Sequence, residues 1–277
     1  MLLSDFIKIV STSWIKVLSF FGIWFVVWLP IAFFLSRLID WQPKKPLMPK
    51  QKLILLASLY LIAPGVIVWK ASTESLSSAD FGLNLTSCNW YYILLGLALS
   101  IGSLILVFSL ESASNLITWH WQNFQQLPSL LLPILSLSLL ISLVEETIFR
   151  GYVFVTLLRD NSFWVAIVAS SMIFATLHLV WERKQTLPQI PGLWLMGVVL
   201  VGARVLTDNS IYLALGLHAG WIWGLTCIDS ADLLTYRHSD HWFSGIKQQP
   251  LAGTSGILCL LITGIFIWGV RNILGAS

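Results

Sequence analysis

Two adjacent glutamates lie inside an apolar, membrane-type segment, and this pair restricts the possible folds more than any other feature of the sequence. Glu145 and Glu146 follow the run Leu-Leu-Pro-Ile-Leu-Ser-Leu-Ser-Leu-Leu-Ile-Ser-Leu-Val, and Arg150 comes about one helical turn later. A charged side chain at bilayer depth costs roughly 2.5–3.5 kcal/mol even on insertion scales. The three charged groups are therefore predicted to face the interior of a helical bundle, as a candidate functional site.

The composition is that of a polytopic membrane protein. Of the 277 residues, 57% are hydrophobic and 10% are charged, and the mean hydropathy is +0.81, whereas a soluble domain carries about 25% charged residues. The net charge of +3 is the ordinary excess of basic loop residues and indicates no binding of nucleic acid. Three distant cysteines without a CxxC pair indicate neither a zinc ribbon nor a disulfide framework.

Apolar runs of about 20 residues, long enough to cross a bilayer, predict an all-α transmembrane bundle of about eight helices. Their approximate bounds are Trp14–Leu35, Leu53–Trp69, Tyr91–Leu110, Ser129–Leu158, Phe163–Trp181, Pro191–Leu206, Ile211–Cys227 and Leu251–Val270. The sequence has no internal repeat and no segment typical of a soluble domain. Residues 1–277 are therefore predicted to form a single membrane domain in the lipid bilayer, with 129–228 as its core.

The spacing of the buried charges predicts an ion pair beside a free carboxylate. Glu146 and Arg150 are four residues apart, so they share a helix face and can pair. Glu145 points about 100° away from its neighbour. The guanidinium can then neutralise Glu146 while Glu145 is presented to a cavity, and acid–base chemistry requires such a difference in environment. The alternative is that Glu146 and Arg150 only clamp two helices together.

Two histidines, His178 and His218, each stand alone in an apolar helix, where a histidine is more often structural than functional. Their depth makes a functional role plausible. If the fourth and fifth helices turn near Asn161, Glu145 and His178 both lie roughly 22–26 Å from that turn and can converge. His218 lies only roughly 14 Å from the turn near Asn209. The depth of His218 matches that of Glu145 and His178 if the fourth helix, which is about 45 Å long, projects beyond the bilayer core of about 30 Å.

Two further polar features have simpler interpretations. Arg204, near the end of the sixth helix, is predicted to extend its side chain to the membrane interface. The last long loop carries a polar cluster that could bind a metal, although a solvated loop is the favoured interpretation. That cluster comprises Asp229, Asp232, His238, Asp240 and His241.

The ordered set Glu145-Glu146-x-x-x-Arg150, Phe174-x-x-x-His178 and His218-x-x-x resembles the three signature motifs of the CPBP family. These are the CAAX-protease and bacteriocin-processing intramembrane endopeptidases, also called Abi proteins. The resemblance covers about Ser129 to Cys227 and implies an all-helical membrane protein. Such a protein cleaves a peptide bond of a membrane-associated or lipidated substrate, in a cavity open to the bilayer.

The resemblance also implies a role for each motif residue. Glu145 would activate the attacking water, His178 would help to bind or activate that water, and His218 would help to stabilise the oxyanion. Glu146 and Arg150 would hold the glutamate segment in place. Two chemistries remain open: a metal-free glutamate protease, or a zinc ion bound by Glu145, His178 and His218 with water as the fourth ligand. Either one supplies an activated water and stabilises the developing oxyanion.

One position departs from the family pattern. The third motif usually has Asn four residues after its histidine, and this chain has Ile222 there. Loss of one oxyanion donor can cost about 100–1,000-fold in rate, and the indole N–H of Trp221 or Trp223 is the available substitute. The chain is therefore either an intramembrane endopeptidase or a catalytically inactive scaffold that binds a partner or confers immunity. A carrier or proton relay is disfavoured because no paired broken helices in repeated halves are visible.

Overall fold

The computed structural model describes residues 12–42, 47–84, 87–238, 240–246 and 248–274. Within these ranges the predicted all-α fold is confirmed, with eight helices of 15 or more residues and one short helix. Helix α4 is continuous and consists of Leu127–Glu146, a π-helical turn at Thr147–Val153, and Phe154–Asp160. The other helices are α1 Thr12–Leu38, α2 Pro49–Glu74, α3 Ser87–Ala113, α5 Phe163–Leu177, α6 Leu179–Thr186, α7 Ile190–Leu206, α8 Tyr212–Ser230 and α9 Thr254–Leu274.

The helices form a polytopic transmembrane bundle. In the described part of the chain, five helical segments are long and apolar enough to cross a membrane: Ser13–Leu38, Lys50–Glu74, Trp90–Ala113, Trp121–Asp160 and Arg183–Leu206. Two shorter helices, Phe163–Leu177 and Thr254–Gly269, are also apolar. Large apolar side chains such as Phe33, Leu61 and Leu132 are more than 60% exposed on the outside of the bundle. A surface of this kind suits lipid rather than water.

Small residues allow α3 and α8 to pack at close range. A Cβ atom added at Gly216 would meet the Ile93 carbonyl oxygen at 2.3 Å, and one added at Gly220 would meet Ser100 Oγ at 1.8 Å. Two small residues four apart are a common device of membrane helices, because they let backbones approach. His218 lies midway between the two glycines and therefore projects from the opposite face of α8, towards α4.

The predicted fifth helix, Phe163–Trp181, is wrong at its C-terminal end. Helix α5 stops at Leu177, and the short α6 begins at Leu179. At the break, His178 Nδ1 lies 2.8 Å from the Phe174 carbonyl oxygen, which in an uninterrupted helix accepts a bond from the backbone N–H four residues on. The imidazole thus replaces a backbone donor, and local competition of this kind ends helices.

The prediction that Arg204 extends to the membrane interface is also wrong. The residue is 2% exposed, and its guanidinium donates to three backbone carbonyls: those of Asp80 at 2.9 Å, Phe81 at 3.3 Å and Arg150 at 2.5 Å. Carbonyl groups inside a membrane protein have no bulk water to bind. Arg204 satisfies three of them and ties α7 to the π-helical turn of α4 and to the segment after α2.

The loops predicted at either side of the core contain short antiparallel strand pairs. Strand β1, Ile117–Trp119, pairs with β2, Leu234–Tyr236, and β3, Asp240–His241, pairs with β4, Gly245–Ile246. The polar cluster of the last loop lies around β2 and β3. Among the residues that the structure describes, neither this cluster nor any other forms a group of three or more His, Cys, Asp or Glu able to hold a metal ion.

The close packing of α3 against α8 gives a testable prediction. We expect Gly216→Ala to lower the thermal melting temperature in detergent by several degrees, because the new methyl group meets the backbone at Ile93 and Gly96 and such overpacking costs about 1–3 kcal/mol. Gly102→Ala on α3 is the matched control, because no atom lies within 4 Å of a Cβ at that position. Equal melting temperatures for the two variants would contradict the predicted interface.

Candidate active site

The carboxylate of Glu146 is the centre of the buried polar network. The residue is completely buried, and its Oε1 accepts hydrogen bonds from Arg150 Nη1 at 3.0 Å and from His218 Nδ1 at 2.7 Å. The predicted Glu146–Arg150 ion pair is therefore present within α4. The bond from His218 additionally connects α4 with α8. Because a carboxylate only accepts, Nδ1 of His218 must carry a proton.

Arg150 is held by two further helices. Its Nη2 donates to the Gly197 carbonyl oxygen of α7 at 3.4 Å, and its guanidinium carbon lies 4.4 Å from the centroid of the Phe174 ring of α5. A guanidinium over an aromatic face gains cation–π attraction, most of all when it is desolvated. Arg150 lies in the π-helical turn, a deviation that occurs often at functional sites. The ion pair is thus locked between α4, α5 and α7.

Glu145 has one bonded and one free carboxylate oxygen. Oε1 accepts a hydrogen bond from the Tyr60 hydroxyl of α2. Oε2 lies 3.6 Å from Nε2 of His218, and it is buried without a hydrogen-bond partner among the described residues. That separation exceeds a direct hydrogen bond and suits a bridging water. Oε2 is therefore the oxygen that can accept a proton from a bound water.

His178 presents one nitrogen to the same region. Its Nδ1 must donate to the Phe174 carbonyl oxygen, because a carbonyl only accepts. In the neutral ring, Nε2 is then the unprotonated nitrogen. The ring also packs edge to face on Phe174, with centroids 4.7 Å apart. The bond and the packing together fix both the tautomer and the orientation of His178.

The three predicted residues Glu145, His178 and His218 line one cavity of about 270 Å³. They come from α4, from the break between α5 and α6, and from α8. The remaining walls are largely apolar and include Leu56, Leu104, Ile141, Met196, Trp221 and Leu260. A mostly apolar cavity with a few convergent polar groups is the usual form of a ligand site, and its low polarity strengthens electrostatic interactions inside it.

A second cavity, of about 130 Å³, lies against the same residues. Tyr60, Glu145, His178 and Leu56 line both cavities, while the walls of the second also include Trp24, Leu59 and Phe149. Glu145 and its tyrosine partner therefore border both a larger and a smaller apolar space.

Ile222 also lines the larger cavity, so the position that usually carries an amide faces the site. Neither tryptophan beside it compensates. The indole N–H of Trp221 donates to Ser103 Oγ at 3.1 Å, and that of Trp223 donates to the Leu131 carbonyl oxygen at 2.9 Å. Both donors are committed to helix packing, so the suggested replacement by an indole is wrong.

The donor set does not fit a zinc site. Zinc needs three protein ligands at about 2.0–2.2 Å around one point, and no such group of three exists among the described residues. We therefore derive no step through a metal.

Tyr60 is the site residue that the sequence analysis missed. It lies in the apolar run Leu-Leu-Ala-Ser-Leu-Tyr-Leu-Ile of α2, far from every motif. A hydroxyl in the middle of a membrane helix needs a hydrogen-bond partner. That requirement is the one sequence feature that could have indicated a role for Tyr60. It could not identify Glu145 as the partner, because the contact joins residues 85 positions apart.

The buried network predicts a specific pattern of stability. We expect Arg150→Met to reduce the yield of folded protein sharply, because the buried charge of Glu146 loses its guanidinium partner and breaking a buried pair costs about 3–5 kcal/mol. The double variant Glu146→Gln with Arg150→Met is expected to recover much of that yield. Arg159→Met removes an exposed cation of the same helix and serves as the control. Gel filtration with fluorescence detection measures all four proteins, and a double variant no better than Arg150→Met would contradict the pairing.

The comparisons with known proteins agree with this geometry. A family model described as type II CAAX prenyl endopeptidase Rce1-like matches residues 127–224, the segment that carries all three motifs. No curated protein and no solved structure gives a significant match to the chain. The match confirms the resemblance that the motifs indicate. The chain is an integral, multi-pass membrane protein, and its segment 127–224, which carries the three motifs, is similar to the Rce1-like CAAX prenyl endopeptidases.

Proposed function

We propose that this protein hydrolyses a peptide bond of a membrane-associated or lipidated substrate, with Glu145 as the base that activates water. The observation that carries the proposal is the convergence of Glu145, His178 and His218, from three parts of the chain, on one largely apolar cavity. A structural clamp would need only Glu146, Arg150 and His218. The clamp interpretation does not explain why a second carboxylate, that of Glu145, has a free oxygen beside a cavity.

The reaction follows from the positions of the proton-accepting atoms. Oε2 of Glu145 takes a proton from a water held in the cavity that Glu145, His178 and His218 line, and the water oxygen attacks the carbonyl carbon of the substrate. The tetrahedral intermediate then collapses as the carbon–nitrogen bond breaks, and Glu145 returns the proton to the departing amine. His178 orients the water through Nε2, because its Nδ1 is occupied by the Phe174 carbonyl oxygen.

His218 is the candidate donor to the developing oxyanion. Its Nδ1 proton is committed to Glu146, so only a proton on Nε2 can serve the substrate. A proton carried on Nε2 lies at the cavity, where the carbonyl oxygen of the substrate can accept it. A fixed donor in an apolar cavity stabilises an oxyanion far better than a solvated donor does.

The cavity walls and the family match support a substrate with a large apolar part. The space beside Glu145 is lined mainly by aliphatic and aromatic residues, and the matching family is named for CAAX prenyl endopeptidases. A peptide that ends in a prenylated cysteine followed by three residues is therefore the first substrate class to test. The specific substrate in the cell is found by comparing the membrane proteomes of cells with active and inactive protein.

The base role predicts loss of activity without loss of fold. We expect Glu145→Gln to lower kcat at least about 1,000-fold on a quenched fluorescent peptide with a farnesylated cysteine, because the amide cannot accept the proton of water. Its gel-filtration profile should match that of the wild type. Asp229→Asn, an exposed acidic residue at the end of α8, is the control and should remain fully active. For other substrates, precursor proteins should accumulate in membranes that contain Glu145→Gln. Equal cleavage by wild type and Glu145→Gln would contradict the proposal.

A second candidate function, an inactive scaffold, is favoured by one observation. Ile222 faces the cavity where an amide donor is usual, and both neighbouring indoles are engaged elsewhere. A protein selected only to bind a partner does not need that donor. The two functions differ in what Ile222→Asn does.

Restoring the amide separates a slow enzyme from a scaffold. If the protein is an endopeptidase, Ile222→Asn should raise kcat by about tenfold or more, because one oxyanion donor contributes about 100–1,000-fold when it is well placed. Ile222→Leu keeps the apolar character and is the matched control, with unchanged kcat. No cleavage by either wild type or Ile222→Asn, in membranes and with the peptide, would favour the scaffold.

A further inference from the structure

We infer that Tyr60 of α2 is a positioning residue for Glu145. The inference rests on the proposed function, because it concerns the same carboxylate. It adds a helix that lies outside the matching segment 127–224. The structural basis is the hydrogen bond from the Tyr60 hydroxyl to Glu145 Oε1 together with the place of both residues between two cavities.

The bond from Tyr60 decides which carboxylate oxygen is reactive. A glutamate carboxylate rotates freely about its last torsion, so an unrestrained Glu145 would present either oxygen to the cavity. Tyr60 occupies Oε1, and Oε2 is left near His218 Nε2, at 3.6 Å. The hydroxyl thus fixes the oxygen that accepts the proton at the distance where a water fits. A catalytic group displaced by about 1 Å can lose 100-fold in rate.

Glu145 depends on Tyr60 for its direct hydrogen bond, because His218 Nε2 stays 3.6 Å from Oε2. Glu146 has two partners, Arg150 and His218, whereas Glu145 has only the Tyr60 hydroxyl as a hydrogen-bond partner. A tyrosine hydroxyl is a suitable partner since it remains neutral, and it orients the carboxylate without the strong ionic pairing that a lysine or arginine would impose.

The tyrosine ring has a second effect through its place in the wall. Leu56 and Tyr60 are one turn apart on the same face of α2, and both line the larger and the smaller cavity. The ring, the Glu145 carboxylate and His178 line both spaces. Tyr60→Phe keeps this wall and removes only the hydroxyl, so it tests positioning without opening a passage.

The test compares two tyrosine-to-phenylalanine variants that each lose a bond to a glutamate. Tyr60→Phe loses the bond to Glu145, and Tyr152→Phe loses a bond of 2.9 Å to Glu74, in a different part of the bundle. For each, kcat and KM are measured on the farnesylated peptide, per mole of monodisperse protein. We expect kcat of Tyr60→Phe to fall about 10–100-fold with KM within about twofold. Tyr152→Phe should keep kcat within about twofold of wild type.

Each other result has a definite meaning. A Tyr60→Phe kcat within about twofold of wild type, with Glu145→Gln inactive, overturns the positioning role and leaves the proposed function intact. A rise in KM without a change in kcat would make Tyr60 a substrate contact and would overturn the positioning role. A loss of kcat in Tyr152→Phe equal to that in Tyr60→Phe would overturn it as well. Full activity of Glu145→Gln overturns the proposed function, and this inference with it.

A second variant covers the case in which Tyr60→Phe does not fold. 4-Fluorophenylalanine introduced at position 60 keeps the ring and nearly the volume of tyrosine but has no proton to donate to Glu145. We expect kcat to fall about 10–100-fold at constant KM, as in Tyr60→Phe. An unchanged kcat would overturn the positioning role.

Discussion

The structure depends on one buried carboxylate, that of Glu146, which receives the guanidinium of Arg150 and the imidazole of His218. A charge at this depth is tolerated only when it is paired and hydrogen-bonded, so the helices that carry the partners must stay in contact. Arg150 extends the connection to α7 through Gly197 and to α5 through Phe174. Four helices are thereby held around one point, and the small residues of α3 and α8 let the backbones approach closely enough for it.

That scaffold leaves the neighbouring carboxylate free for chemistry. Glu145 lies on the same helix but on another face, where it meets Tyr60, His218 and a cavity instead of a cation. We therefore propose different functions for these two adjacent identical side chains, because their surroundings differ. Ile222, in the wall of that cavity, lowers the expected rate without disturbing the base, so a slow or selective hydrolase is the activity that we propose.

Much of this arrangement could be predicted from the sequence, and the failures have physical causes. The apolar runs identified the helices, the four-residue spacing identified the Glu146–Arg150 pair, and depth matching placed His178 near Glu145. The prediction that Arg204 extends to the membrane interface was wrong because its partners are backbone carbonyls. Contacts with backbone carbonyls leave no pattern in a sequence. The break at His178 depends on a side chain that binds its own helix, and Tyr60 depends on a contact across 85 residues. The division into a single domain with a core at 129–228 stays a prediction.

The most direct test of the account is a double-mutant cycle between Glu146→Gln and His218→Gln, with unfolding by detergent titration in mixed micelles. The two side chains are 2.7 Å apart in the structure, and residues in direct contact within a network couple by about 0.5–3 kcal/mol. The account predicts a coupling free energy at the upper end, about 1.5 kcal/mol or more, because the bond is charged and buried. Effects that add to within about 0.5 kcal/mol would show that Glu146 and His218 do not meet, and would contradict the common chamber on which the proposed chemistry depends.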